Sequence, residues 1–282
     1  MGSILTRKLF WLIAITVIVI AMMVAALPLL LNVLGLHRPY AGRTFDLSGK
    51  RALIIATNHD RLGETGKKTG VFASEMTVPY YEFLDGHMQV DVASIQGGVI
   101  PIEPASIRWP LRTRADKRFL SDSTFQGKVR HSLKINNIDF AQYDIVYIAG
   151  GWGAAYDLGY SEVLGEGIST AYSADVVLGS VCHGALGFLK AKDRNDEPLV
   201  KGRRMTAVTD KQVRELGITI TPLHPERELR KAGALYESET AFRDIFASHV
   251  VVDRNLVTGQ NQNDGAHVAQ LMMAIVEKRT AK

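Results

Sequence analysis

The sequence predicts an α/β sandwich built on a mainly parallel sheet and preceded by one membrane-spanning helix. Three observations lead there. The run from Leu9 to Leu31 carries no charge and has Thr16 as its one polar side chain, and about 20 such residues cross the hydrocarbon core of a bilayer. Short β-branched runs follow that are apolar throughout rather than alternating, the pattern of strands covered on both faces. Stretches of helical character separate them, and strands alternating with helices build open α/β sheets.

In chain order, residues 1–8 read as a tail, 9–34 as the transmembrane helix, 35–46 as a linker and 47–282 as one soluble domain. A cleaved signal peptide competes with the anchor, since Arg7 and Lys8 supply a basic start and Val24-Ala25-Ala26 a small-residue site. Signal cores end after about 7 to 15 residues, whereas this run continues past that site, which favours an uncleaved single-pass anchor in contact with lipid through residues 9–34. Basic residues flank both ends (Arg7 and Lys8; Arg38, Arg43, Lys50 and Arg51), so the side on which the domain lies is left open.

The strands are "RALIIAT" (51 to 57), "MQVDVAS" (88 to 94), "DIVYIAG" (144 to 150) and "DVVLGSV" (175 to 181). Helices are expected from Ser74 to Asp85, with Tyr80 and Tyr81 as packing residues, from about Leu158 to Tyr172, and in "DKQVRELG" and "NDGAHVAQLMMAIVEK". The basic, aromatic segment from Ile107 to Asn137 is the least regular and reads as an insertion. With 282 residues, 46% of them hydrophobic, the chain can bury a full core. Its 33 basic and 29 acidic residues are scattered without a basic stripe, which argues against nucleic acid as a partner. A single cysteine excludes an internal disulfide, and the histidines show no metal-ligand spacing; neither a metal nor a cofactor is expected.

That cysteine, Cys182, stands in "DVVLGSVCHGALGFL" where a strand ends and a helix is expected to begin. Ligand sites of open α/β sheets lie at the carboxyl ends of strands, and Gly179, Ser180 and Gly184 leave room for an abrupt strand-to-helix turn. The pattern is a nucleophile elbow with cysteine in place of serine. A helix N-terminus lowers a thiol pKa, so a reactive thiolate is the expected species, with the backbone N–H of His183 as an oxyanion donor and its imidazole as a base. The bland alternative is a small buried residue. A second turn, "IAGGWGAAYDLG", brings the amides of Gly150, Gly151 and Gly153 to the end of another strand. It lacks the GxGxxG spacing of a dinucleotide site.

The pieces "GVFASEMTVPYYEFLDGHMQVDVASIQGG", "IEPAS", "IAGGWGAAYDLG", "GSVCHGALGFL", "VTDKQV" and "LVTGQNQNDGAHVAQ" resemble, in order and spacing, the superfamily named for the parkinsonism protein DJ-one and the intracellular protease PfpI, most closely its heat-shock/glyoxalase branch. The resemblance covers about residues 50 to 275 and implies a class I glutamine amidotransferase-like, flavodoxin-like three-layer sandwich. It implies Cys182 as nucleophile, His183 as its partner, Glu75 as the acid bonded to the thiolate, and Gly150 and Gly151 with the His183 amide as the oxyanion site. Asp210 is the positional candidate for the acidic third member, with Glu215 and Glu226 in reserve. Three positions depart from the pattern: Trp152 where glyoxalase relatives commonly carry histidine, Ala185 after Cys-His-Gly, and Gln262 where a Gly-Gln-Asn-Pro turn has proline.

The function expected is that of a membrane-anchored cysteine hydrolase or lyase acting on a small-molecule carbonyl substrate or its adduct, with a homodimer left open. A glutamine amidotransferase-like or peptidase enzyme and a non-enzymatic redox sensor or holdase are the alternatives.

Overall fold

The computed structural model describes residues 2–280. Helix α1 (Gly2–Leu34) comes first, followed by strands β1 (Arg51–Ala56), β2 (Gln89–Ser94), β3 (Leu133–Lys134), β4 (Ile145–Ile148), β5 (Val177–Val181), β6 (Arg204–Met205), β7 (Leu235–Tyr236), β8 (Val250–Asp253) and β9 (Leu256–Gly259). A seven-stranded sheet runs β3-β2-β1-β4-β5-β9-β8, and β6 pairs with β7 in a small second sheet. All pairings are parallel except β8 with β9.

Two-sided burial explains the strand sequences. In β1, Ala52, Ile54 and Ala56 enter one core, together with Tyr147 of β4, while Leu53 and Ile55 enter the other with Val146 and Ile148. Helices α2 (Ala73–Asp85) and α9 (Gly265–Thr280) close the first face through Met76, Phe83, Met272 and Met273. On the second face, α6 (Glu162–Ser173) contributes Leu164 and Ile168, and Phe188 joins them. The four expected strands stand within a few residues of their predicted limits. The strands at the sheet edges, β3 and β8, escaped the sequence reading because they are short or only partly buried.

Two expectations need correction. The helix expected across 158–172 is interrupted: α5 (Ala154–Asp157) runs into a 3-10 turn, Leu158–Tyr160, and α6 restarts only where the Ser161 hydroxyl accepts from the Leu164 amide. The segment 107–137 is not an irregular excursion. It forms α3 (Arg114–Ser121), capped by Thr113 and Asp116, and α4 (Ser123–Arg130), capped by Asp122. Both dock by aromatic packing. The Phe125 ring stacks 3.5 Å from that of Tyr80 and meets Tyr81 and Phe119 edge-on.

Helix α1 is long and apolar enough from Thr6 to Leu34 to span a membrane, and none of the side chains over that range is buried. A signal sequence passes the same test. After it, Leu36 and Phe45 are buried in the domain rather than carried on a loose tether.

If α3 and α4 belong to the core, Phe125→Ala should destabilise the domain by about 3 kcal/mol in urea unfolding; a loss near zero would mark them as an appendage.

Candidate active site

The site is assembled where β4 and β5 end side by side. Val181 closes β5 in extended geometry, and Cys182 then turns the chain at φ 56° into a seven-residue 3-10 segment, Cys182–Phe188. A left-handed non-glycine residue is strained and persists only where its surroundings hold it. Here the constraint is Gly184, where a Cβ would lie 2.2 Å from the Ile148 carbonyl oxygen. The expected elbow is present.

Cys182 is buried, and its Sγ lies 3.3 Å from His183 Nδ1. Glu75, in the first turn of α2, is buried and hydrogen-bonds with the sulfur. The Gly150 N–H donates to Glu75 Oε2 at 3.0 Å, and the Tyr147 hydroxyl donates to the Glu75 carbonyl at 2.9 Å, so β4 and the turn after it hold both ends of the residue. Gly151 adopts φ 102°, and its amide, with that of His183, acts on the sulfur in favour of the anion.

The electrostatics differ from the sequence-based expectation. Burial pushes the Cys182 thiol up, not down, and a charged Glu75 would push it further. The 3-10 segment supplies one amide, that of His183, the turn after β4 supplies the other, that of Gly151, and no long aligned dipole adds to them, which is too little to offset loss of water. Burial likewise raises Glu75 to about 8, so its carboxyl holds a proton at neutral pH. A protonated Glu75 donates to the sulfur instead of repelling it. The pair therefore loses its first proton as a unit, to a monoanion that Glu75 and the two amides stabilise. Burial lowers His183 to about 3, so its imidazole is neutral and available as a base.

These groups open into a pocket of about 200 Å³ lined by Cys182, His183, Glu75, Gly151 and Trp152 and by apolar side chains such as Phe72 and Val208. Trp152 packs its ring 4.9 Å from that of His183. Gln262 also lines the pocket and accepts from Gln212 Nε2 at 3.3 Å. Ala185 is buried in the second core.

None of the three acids proposed to complete the triad hydrogen-bonds to His183, whose Nε2 has no partner among the described residues. Asp210, which opens α7 (Asp210–Glu215), accepts from Arg227 Nε at 2.6 Å and lies 3.8 Å from His224 Nδ1. Glu226 accepts the Asp210 N–H, and Glu215 the Asp244 N–H. His224 acts electrostatically on His183. Glu103, a further pocket residue, is held by the Thr69 hydroxyl at 2.8 Å. It and Gln212 lie inside "IEPAS" and "VTDKQV", the signal that could have found them. Among the described residues no group of three or more His, Cys, Asp or Glu is placed to hold a metal ion.

A family model described as the DJ-1/PfpI family matches residues 68–277. The chain belongs to that family. Among its relatives is glyoxalase 3 of Candida albicans, 28% identical over 236 residues that span 81% of this chain and 98% of that protein. A glutathione-independent glyoxalase of Schizosaccharomyces pombe is 24% identical, over 80% of this chain and 96% of its own length. Among solved DJ-1/PfpI-like structures, glyoxalase III from Candida albicans superposes with a TM-score of 0.73 at 26% identity, covering 80% of this chain and 97% of that one. The rapid encystment protein of Francisella tularensis superposes at 0.75 with 28% identity, covering 80% and 99%.

The shared proton makes a measurable prediction. Alkylation of Cys182 by iodoacetamide should rise in one step as the pair loses its first proton, and in Glu75→Gln that step should move to higher pH, because an amide donates more weakly than a carboxylic acid. An unmoved step would separate Glu75 from the thiol.

Proposed function

We propose that the protein is a membrane-anchored, cysteine-dependent enzyme that isomerises and hydrates small 2-oxoaldehydes without glutathione. The observation that carries this reading is the convergence of the Cys182 sulfur, the protonated Glu75 carboxyl and two backbone amides in one pocket of about 200 Å³. The names of relatives that match four fifths of the chain support it.

The chemistry follows from that placement. The Cys182 thiolate adds to the aldehyde carbon, and the new oxyanion is held by the amides of Gly151 and His183. Proton transfer to that oxygen leaves a hemithioacetal. Its C–H proton then passes to a base and returns at the neighbouring carbonyl carbon, which becomes the hydroxyl-bearing carbon of a thioester. Water cleaves the thioester, releasing the 2-hydroxy acid and the thiol, so the net change is substrate plus one water. Trp152 has a ring N–H and no basic nitrogen, so the proton transfers fall to Glu75 and to neutral His183. Glu75, protonated at neutral pH, serves as the donor, and neutral His183, with Nδ1 3.3 Å from the sulfur, as the acceptor.

The full chain incubated with methylglyoxal should form lactate in the absence of glutathione. Cys182→Ser should abolish this, and Glu75→Gln should lower kcat by about 10²-fold or more. Undiminished turnover in Cys182→Ser would refute the mechanism. Asp210→Asn should stay near the parent rate, because Asp210 bonds to Arg227 and not to His183; a loss as large as that of Glu75→Gln would restore it to the triad.

A further inference from the structure

The segment that leaves α1 is fastened to the wall of the Cys182 pocket. Gly35 lies against the Phe246 carbonyl, and the His37 backbone N–H donates to Asn263 Oδ1 at 2.8 Å. The His37 ring sits 6.3 Å from that of Phe72 and also engages the Gln262 backbone. Phe72, Gln262 and Ile245, next to Phe246, all line the pocket. Further on, Tyr40 stacks on His267 at 4.7 Å and Arg43 pairs with Glu277. A helix α1 that crosses a bilayer therefore delivers the domain pocket-side first.

The rim is built for such a surface. Leu111, Leu216, Ile218 and Ile245 line the pocket and are only partly covered. Beside them Trp109 is 52% exposed and Phe242 68% exposed, the latter stacked on Phe246 at 4.9 Å. Arg108 and Arg112, Arg114 at the start of α3, Arg214 in α7 and Arg243, which donates to the Glu215 carbonyl, are exposed in the same segments, and none is in an ion pair among the described residues. Exposed aromatic side chains with unpaired arginines suit the headgroup layer, where indole rings reside and guanidinium groups meet anionic phosphates.

We propose that the mouth of the Cys182 pocket rests on the bilayer surface, with Trp109, Leu216 and Phe242 at headgroup depth. The site then collects from the membrane interface 2-oxoaldehydes that carry an apolar tail. The proposal rests on the reading of α1 as a membrane anchor.

The test uses the full chain in vesicles of phosphatidylcholine and phosphatidylglycerol. In a Cys182→Ser background, Trp109→Cys, Phe242→Cys and Glu197→Cys each receive one environment-sensitive fluorophore. Glu197 is the control, because its loop lies near the opposite end of the strands, where Arg194 pairs with Asp175. Labels at 109 and 242 should be quenched by shallowly brominated lipids, and the label at 197 should not. Labels at 109 and 242 as water-exposed as the one at 197, in a chain that survives carbonate extraction, would overturn the proposal while leaving the anchor standing. Release by carbonate would overturn both.

For the substrate, Trp109→Ser combined with Phe242→Asp should lower kcat/KM for vesicle-borne 2-oxododecanal about tenfold and leave methylglyoxal unaffected. Equal values with the parent on both would overturn collection from the interface. A parent chain inactive on both would overturn the carbonyl reading and the collection together, with the fluorophores still deciding the docked surface.

Discussion

Two groups that ionise to anions, the Glu75 carboxyl and the Cys182 thiol, meet while both are buried, and the pair gives up one proton far more readily than two. That constraint organises the surrounding structure. The strained turn at Cys182 aims the sulfur, the tight packing at Gly184 brings the two strand ends together, and the Gly150 amide pins the carboxyl. Asp264, buried immediately before the first residue of α9 and itself raised to about 6, adds negative charge that helps to keep the Glu75 proton in place.

The same burial makes His183 a neutral base rather than a standing cation. A cysteine–histidine pair is often pictured as an ion pair, but an imidazolium without a carboxylate partner is costly in this enclosure. Asp210 does not provide that partner; Arg227 holds it instead. Trp152 fills the space beside the imidazole with an apolar ring.

Much of the framework was legible in the chain itself. Strand runs apolar on both alternations imply a sheet covered on both faces, and β1, β4 and β5 show that pattern buried almost completely. The elbow was legible because a strand, a cysteine and close-packed glycines leave few geometries open. Helices α3 and α4 were not, because their stability comes from Phe119 and Phe125 packing on Tyr80 and Tyr81, side chains far off in sequence.

By itself, then, the sequence determined the parallel α/β sheet, the apolar N-terminal helix and the position of the thiol, because these rest on local periodicity and composition. Only the tertiary structure decided the ionisation of Cys182 and Glu75, the diversion of Asp210 to Arg227, and the packing of the segment after α1 against the pocket wall. Each of those depends on how much water and which charges surround a group, and its neighbours come from parts of the chain that only folding brings together.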